Sequence, residues 1–434
     1  MSSNESIEQS LAPAAAPIGE EAPRRNPLWG KLTIALIALM ALLILFLANL
    51  KIRQEQSFLL FSNELIPVKV SAEDTALWGY LNEDGELAIA AQFEDALDFS
   101  ENGLAAVKRN GLWGFIDQKG NVVIPYTYEE ALSFGKGELA AVKKGGLWGF
   151  VDEDGALVIA CQYEKVLGFS QNGLAAVGKE QKIGYINESG EMVIPAQFDQ
   201  AHTFDQNDLA KVFVYGDWGV IDENGHFVIN PQFDEIGDFA ENGLAVVKKD
   251  GKYGYIDKDG SYAVKPTLYA ATDFAENDLA AVKWESDGLY GYIDEHGDTI
   301  IPARYDKALP FAKNGLAAVA ISDGNTEKWG YVDENGDFAI QPSFTYATTF
   351  VEDRAAVSDG TAYYYIDGEG TRVISLTGEC KLPGLFTKDG FALLLCEELS
   401  TGNAYALIID KSGRSIHTQR ISSVSIEVLL YAAS

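Results

Sequence analysis

The residues of this sequence whose types and spacing could support chemistry are few: four histidines, three cysteines and a set of acidic turns. His202, His226, His296 and His417 fall at unrelated places, two of them in or beside turns, and none shares an acid–base or metal-ligand spacing with a partner. They read as solvated surface side chains. Cys161, Cys380 and Cys396 also lack a metal-like spacing; only the last two are close enough in sequence to pair, and small buried residues account for all three. The turns Asp152-Glu153-Asp154-Gly155, Asp222-Glu223-Asn224-Gly225 and Asp257-Lys258-Asp259-Gly260 share part of a calcium loop. The rest of that loop is missing, because Val220 or Tyr255 stands where its first ligand belongs and no bidentate glutamate follows. No nucleophile elbow, phosphate loop or zinc spacing is present. The expectation is a non-enzyme with no catalytic, cofactor-binding or metal-ligating residues.

The elements around those turns belong to a repeat. A tryptophan or its substitute recurs every 35 residues at Trp78, Trp113, Trp148, Ile183, Trp218 and Tyr253, then at Tyr290, Trp329, Tyr363 and a degenerate Ala406. A fixed period of this length marks an array of small units. The expected repeat core is Trp78-Gly79, Trp113-Gly114, Trp148-Gly149, Trp218-Gly219, Tyr253-Gly254, Tyr290-Gly291 and Trp329-Gly330.

Within a unit, Trp113 to Asp117 alternates, Gln118 to Gly120 turns and Asn121 to Ile124 returns, which predicts a hairpin whose glycine takes a positive φ. Asp or Asn three residues before that glycine can cap the turn. Aromatic-plus-acid pairs such as Tyr163-Glu164 mark a third strand, and Leu-Ala-Ala-Val stretches such as 139–142 a fourth. Neighbouring residues in these strands are apolar on both faces, so successive antiparallel sheets must stack face to face. The alanines and the glycine after each tryptophan are expected to let the next sheet's rings approach.

Nine units plus a degenerate tenth exceed the four to eight blades at which propellers usually close. The reading is therefore an all-β, open superhelical array over residues 52–374, with a closed β-propeller as the alternative, suggested by a strand at Leu65 to Val70 before the first tryptophan. Residues 375–434 read as divergent repeats and a terminal cap.

Leu112-Trp-Gly-Phe-Ile-Asp117, Lys252-Tyr-Gly-Tyr-Ile-Asp257 and Lys328-Trp-Gly-Tyr-Val-Asp333 resemble the bacterial WG-repeat proteins over about residues 65 to 370. The resemblance implies a β-rich interaction surface and carries over no catalytic residue. Ile183 in the tryptophan slot and Tyr364 in the glycine slot depart from the pattern.

Residues 1–27 are rich in Ser, Ala, Pro and Glu and read as a disordered tail. Leu32 to Ala48 carry no charge and are bracketed by Trp29 and Lys31 and by Lys51 and Arg53, which predicts a transmembrane helix and signal anchor over 28–51. Arg24, Arg25 and Lys31 outweigh Lys51 and Arg53 by one charge, placing the N-terminus in the cytoplasm and the array outside it.

The formal net charge of −31 excludes nucleic acid as a natural partner and leaves a protein or an envelope glycan. Strand direction gathers Asp84, Asp117, Asp154, Asp222 and Asp294 on one acidic rim, a candidate binding rim, and Lys108, Arg109, Lys143, Lys144, Lys248, Lys249 and Lys283 on the other. The repeated aromatics share the period of the core, so Tyr126 and Phe213 are the better candidates for stacking on a sugar.

Overall fold

Alternating apolar strands and positive-φ glycines produce the same small sheet again and again in the computed structural model of the chain. It describes residues 65–421 except 73–74, 83–85, 136–137, 323, 325, 377–379, 388–389 and 398–403. The expected tail (1–27) and membrane span (28–51) lie outside the described residues, as does Asp84. No helix among the described residues is long and apolar enough to cross a membrane.

Sheet 2 is representative. Its first strand is Asp95–Ala96, its second Leu104–Arg109, its third Leu112–Asp117 and its fourth Val122–Tyr128, all antiparallel and paired in chain order. Ten such sheets follow one another: sheet 1 spans residues 66–93, sheet 2 95–128, sheet 3 130–163, sheet 4 165–198, sheet 5 200–233, sheet 6 235–268, sheet 7 270–305, sheet 8 307–344, sheet 9 346–375 and sheet 10 380–421. Sheet 1 has three described strands and the others four.

The Trp-Gly pair has a local cause. In sheet 2, Trp113 pairs with Tyr128 but Phe115 with Ile124, so the fourth strand bulges opposite Gly114. A Cβ on Gly114 would lie 2.5 Å from the Ile124 carbonyl oxygen and 2.9 Å from the Tyr126 nitrogen. The glycine therefore makes room for the backbone of its own sheet's fourth strand, and not for rings of the next sheet as the sequence suggested. The same shift and a carbonyl at 2.4 to 2.7 Å recur at Gly79, Gly149, Gly184, Gly219, Gly254, Gly291 and Gly330. Where Tyr364 or Leu407 takes that slot, in sheets 9 and 10, the strands pair through it without the shift. Prolines in these fourth strands (Pro125, Pro195, Pro231, Pro266, Pro302, Pro342) and the bulge itself blunt edges that would otherwise invite further pairing.

Sheets pack on one another through rings and small residues. Tyr80 of sheet 1 meets Phe99 of sheet 2 at 4.8 Å, and the pattern repeats at Phe115–Phe134, Phe150–Phe169, Tyr185–Phe204, Tyr255–Phe274, Tyr292–Phe311, Tyr331–Phe350 and Tyr365–Phe386. The tyrosines among them donate their hydroxyls to a backbone carbonyl of the following sheet, as Tyr80 does to Leu97 at 2.7 Å and Tyr331 to Thr348 at 2.9 Å. A buried hydroxyl is thereby satisfied while its ring fills the interface.

The array closes. Ile66, Val68 and Leu81 of sheet 1 share one buried cluster with Ile408 of sheet 10, with Phe391, Leu393 and Ile416 packed against it. Strand Ser415–Ile421 lies against Ile66–Ala72 as Val122–Tyr128 lies against Ala140–Lys144. The ten sheets form a ten-bladed β-propeller, which overturns the expected open superhelix. The number of units does not decide between the two, because closure depends on the angle between neighbouring sheets, which no residue count reveals. The strand before Trp78 pairs within its own sheet. Cys380 and Cys396 face each other across the first two strands of sheet 10 and form a disulfide.

Candidate functional site

The acidic turns between third and fourth strands are built alike. In sheet 3 the Asp152 Oδ1 accepts the Asp154 and Ala156 backbone N–H groups at 3.1 and 2.8 Å, and Gly155 holds a φ of 81°. Asp117, Asp222 and Asp294 make the same pair of contacts in sheets 2, 5 and 7. Slight burial would raise the Asp117 carboxyl, but hydrogen bonds from Asn121 and Lys119 outweigh it and hold the group below its ordinary value. Asp117, Asp222 and Asp294 thus each commit an oxygen to their own turn. Asp154 stands two positions later in its turn, exposed, with Asp152 in the capping place.

The Asn-Gly and Asn-Asp turns between first and second strands share this rim. Lys258 donates to Asn207 of the preceding sheet at 2.6 Å, Asn277 of sheet 7 to Glu334 of sheet 8 at 3.2 Å, and Lys313 lies 3.6 Å from Glu276. Most other charges on the rim are acidic and exposed, Glu153, Glu188 and Glu223 among them.

On the opposite rim, lysines pair with acids of the same sheet. Lys143 pairs with Glu130 at 2.6 Å and sits 5.5 Å from the Trp148 ring; Lys248 pairs with Glu235 at 2.9 Å and sits 5.3 Å from the Tyr253 ring. The acid that follows each aromatic caps a turn on this rim: Glu129 accepts both Gly145 and Gly146 N–H groups at 2.9 Å, and Asp234 that of Gly251 at 3.0 Å. Lys143 and Lys248 are therefore matched within the chain.

Of the repeat core, Trp78, Trp113, Trp148 and Trp329 are buried, and Trp218, Tyr253 and Tyr290 half-buried. A profile of the WG containing repeat matches eight tandem stretches, residues 78–113, 113–148, 148–182, 183–216, 218–253, 253–283, 290–324 and 329–360. The chain belongs to the WG-repeat family. No curated protein matches it. Among solved structures, a eukaryotic initiation factor is similar at 10% identity and a TM-score of 0.48, with 83% of this chain and 96% of that one covered. A quinonprotein alcohol dehydrogenase-like protein from Bacteroides thetaiotaomicron is similar at 10% identity and a TM-score of 0.31, covering 74% and 82%. Likenesses this slight carry no argument about function.

The Leu-Ala-Ala-Val stretch of the repeat is broken in sheet 5. Lys211 stands where other units bury Ala106, Ala141, Ala176, Val246, Ala281, Ala318 or Ala356, and it pairs with Asp238 of sheet 6. His202 lies beside it, its ring 5.2 Å from that of Trp218 and its backbone N–H donating to the Lys211 carbonyl. Burial holds the His202 imidazole below its ordinary value, with the Lys211 ammonium adding to the effect and Asp238 opposing it. The sequence reading missed this cluster, although a lysine in an alanine slot was its visible signal. His226 and His296 are exposed turn residues, His226 lying 3.4 Å from Asp222. Tyr126 and Phe213 are half-buried, Phe213 against Trp218 at 5.4 Å. Among the described residues no three His, Cys, Asp or Glu side chains gather as a metal site.

Proposed function

We propose that this WG-repeat protein is a membrane-anchored interaction scaffold that displays its ring outside the cytoplasm and binds a protein partner there, without catalysis of its own. The observation that carries this reading is the division of labour within the repeat. Ring pairs and the bulge glycine recur from unit to unit, whereas turn positions change: Gln118-Lys119, Glu153-Asp154, Glu188-Ser189, Glu223-Asn224, Lys258-Asp259 and Glu295-His296. Invariant cores with variable rims suit recognition by a rigid surface. The Cys380–Cys396 disulfide agrees with an oxidising compartment, and the uncharged run 32–48 with an anchor whose N-terminal side is cytoplasmic.

Three measurements test the proposal. The intact protein should resist alkaline washing of membranes, and protease added outside intact cells should digest the ring; release by alkali or digestion only after lysis contradicts the placement. Residues 52–434 should capture a protein from the envelope of the source cells. A glycan-binding reading has one feature in its favour, Tyr215, whose ring is 88% exposed at a turn. Capture of polysaccharide alone, lost in Tyr215→Ala, would replace the protein-binding reading with that one.

A further inference from the structure

The fourth strands carry a second exposed pattern beside the acidic turns. Each starts immediately after its turn, and in sheets 3 and 4 its first two residues are apolar and open to solvent: Leu157 at 51%, Val158 at 45%, Met192 at 37% and Val193 at 42%. In sheet 5 the first is Phe227. Phe227 also leans on Phe198 of sheet 4 at 6.3 Å, so this register position faces the preceding sheet and the next position, by alternation, the following one. Val158 with Met192, and Val193 with Phe227, therefore border the two clefts between sheets 3, 4 and 5. An apolar band repeated over adjacent units is unlike the singly scattered apolar residues of an ordinary surface.

The turns above this band, residues 152–156, 187–191 and 222–226, contain seven carboxylates and no lysine or arginine. Glu153, Asp154, Glu188, Glu191 and Glu223 are exposed, and among the described residues none of the five is ion-paired. In sheets 2, 6 and 10 the same slots hold Lys119, Lys258, Lys411 or Arg414. One arc of the ring thus joins an apolar wall to an uncompensated acidic crest.

We infer that the outer wall of sheets 3 to 5 docks a cationic amphipathic protein segment, its apolar side against Leu157, Val158, Met192, Val193 and Phe227 and its lysines or arginines against Glu153, Asp154, Glu188, Glu191 and Glu223. This rests on the protein-binding reading above and names the chemistry of the partner. Charge complementarity supplies the orientation and the rate of encounter, and the apolar contact holds the complex.

The test uses the full chain and three synthetic probes: a lysine–leucine peptide with the two residue types on opposite sides, a scrambled peptide of the same composition, and an oligolysine of the same charge. The segregated peptide should bind at least about tenfold more tightly than the other two. Val158→Ser with Met192→Ser and Val193→Ser should weaken it about tenfold while preserving its salt dependence. Glu153→Gln with Asp154→Asn, Glu188→Gln and Glu191→Gln should weaken it about tenfold and flatten that dependence. The matched exposed-strand substitutions Ile300→Ser and Val373→Ser should change nothing, and circular dichroism should show every variant folded. Equal binding of oligolysine, or equal loss in the Ile300 and Val373 variants, overturns the inference. Capture of a natural partner that is indifferent to all these substitutions removes the docking wall and leaves the scaffold reading in place; peptide binding without any natural capture does the reverse.

Discussion

Gly114→Ala puts the bulge argument at risk. The added methyl would sit 2.5 Å from the Ile124 oxygen, 2.9 Å from the Tyr126 nitrogen and 3.0 Å from the Pro125 carbonyl carbon. Ordinary contacts of this kind begin near about 3.5 Å, and all three neighbours are backbone atoms with no rotamer to change. Overpacking costs about 1–3 kcal/mol where neighbours can yield. Relief here requires strand Val122–Tyr128 to surrender its bulge, with backbone hydrogen bonds worth about 1 kcal/mol each. A total of about 3–5 kcal/mol is expected. Gly103→Ala in the same sheet supplies the control: its φ is 78°, but a Cβ there meets nothing within 4 Å, so only the left-handed strain of about 1–2 kcal/mol applies. Hydrogen exchange of Val122–Tyr128 amides, with urea titration of each variant, reads the difference. If Gly114→Ala costs no more than Gly103→Ala, the steric account of the Trp-Gly pair is wrong.

Trp148→Ala empties a ring-sized volume and should cost about 3–5 kcal/mol; because the ring is closed, protection should fall in sheets 1 and 10 as well, and loss confined to sheets 2 to 4 would contradict closure. Cys396→Ala opens a loop with a sequence separation of 16, worth about 3 kcal/mol, so reduction of the parent protein should lower its urea midpoint and leave the variant unchanged. His202 has a folded value below its unfolded 6.5, so the unfolded state takes up the proton first as pH falls. Stability should decline as pH drops from about 7 through that unfolded value and level off below the folded one, and His202→Leu should remove this step while sparing the loss at lower pH from carboxylates such as Asp117 and Asp222.

The period made the unit legible. Turn glycines such as Gly120 and capping residues such as Asp117 announce a hairpin through their own chemistry, and both-faced apolar stretches such as 139–142 announce stacking. What the sequence hid depends on geometry between units. Sheet 10 lacks the Trp-Gly pair because it has no bulge at that point, so its equivalence to the other sheets shows only in three dimensions. The sequence does not show which backbone the glycine meets, because a bulge leaves no periodic mark. Asp154 and Asp222 look alike in sequence, yet a two-residue offset makes one a free carboxylate and the other a cap. The apolar wall of sheets 3 to 5 was equally hidden, since Leu157 and Val158 read as core until the edge position of their strand is known.

Closure has a mechanical consequence. Nine of the ten joints between neighbouring sheets are crossed by the chain itself, while the joint between sheets 10 and 1 is held by packing around Ile66, Val68, Leu81 and Ile408. The ring is in this sense a bracelet with one clasp. Tension applied through the two ends should part the clasp before any hairpin unravels, exposing a matched pair of apolar faces on a still-folded arc. Two chains opened at once could fasten to each other, each end meeting the contact it had just released, and the outcome would depend on protein concentration during folding.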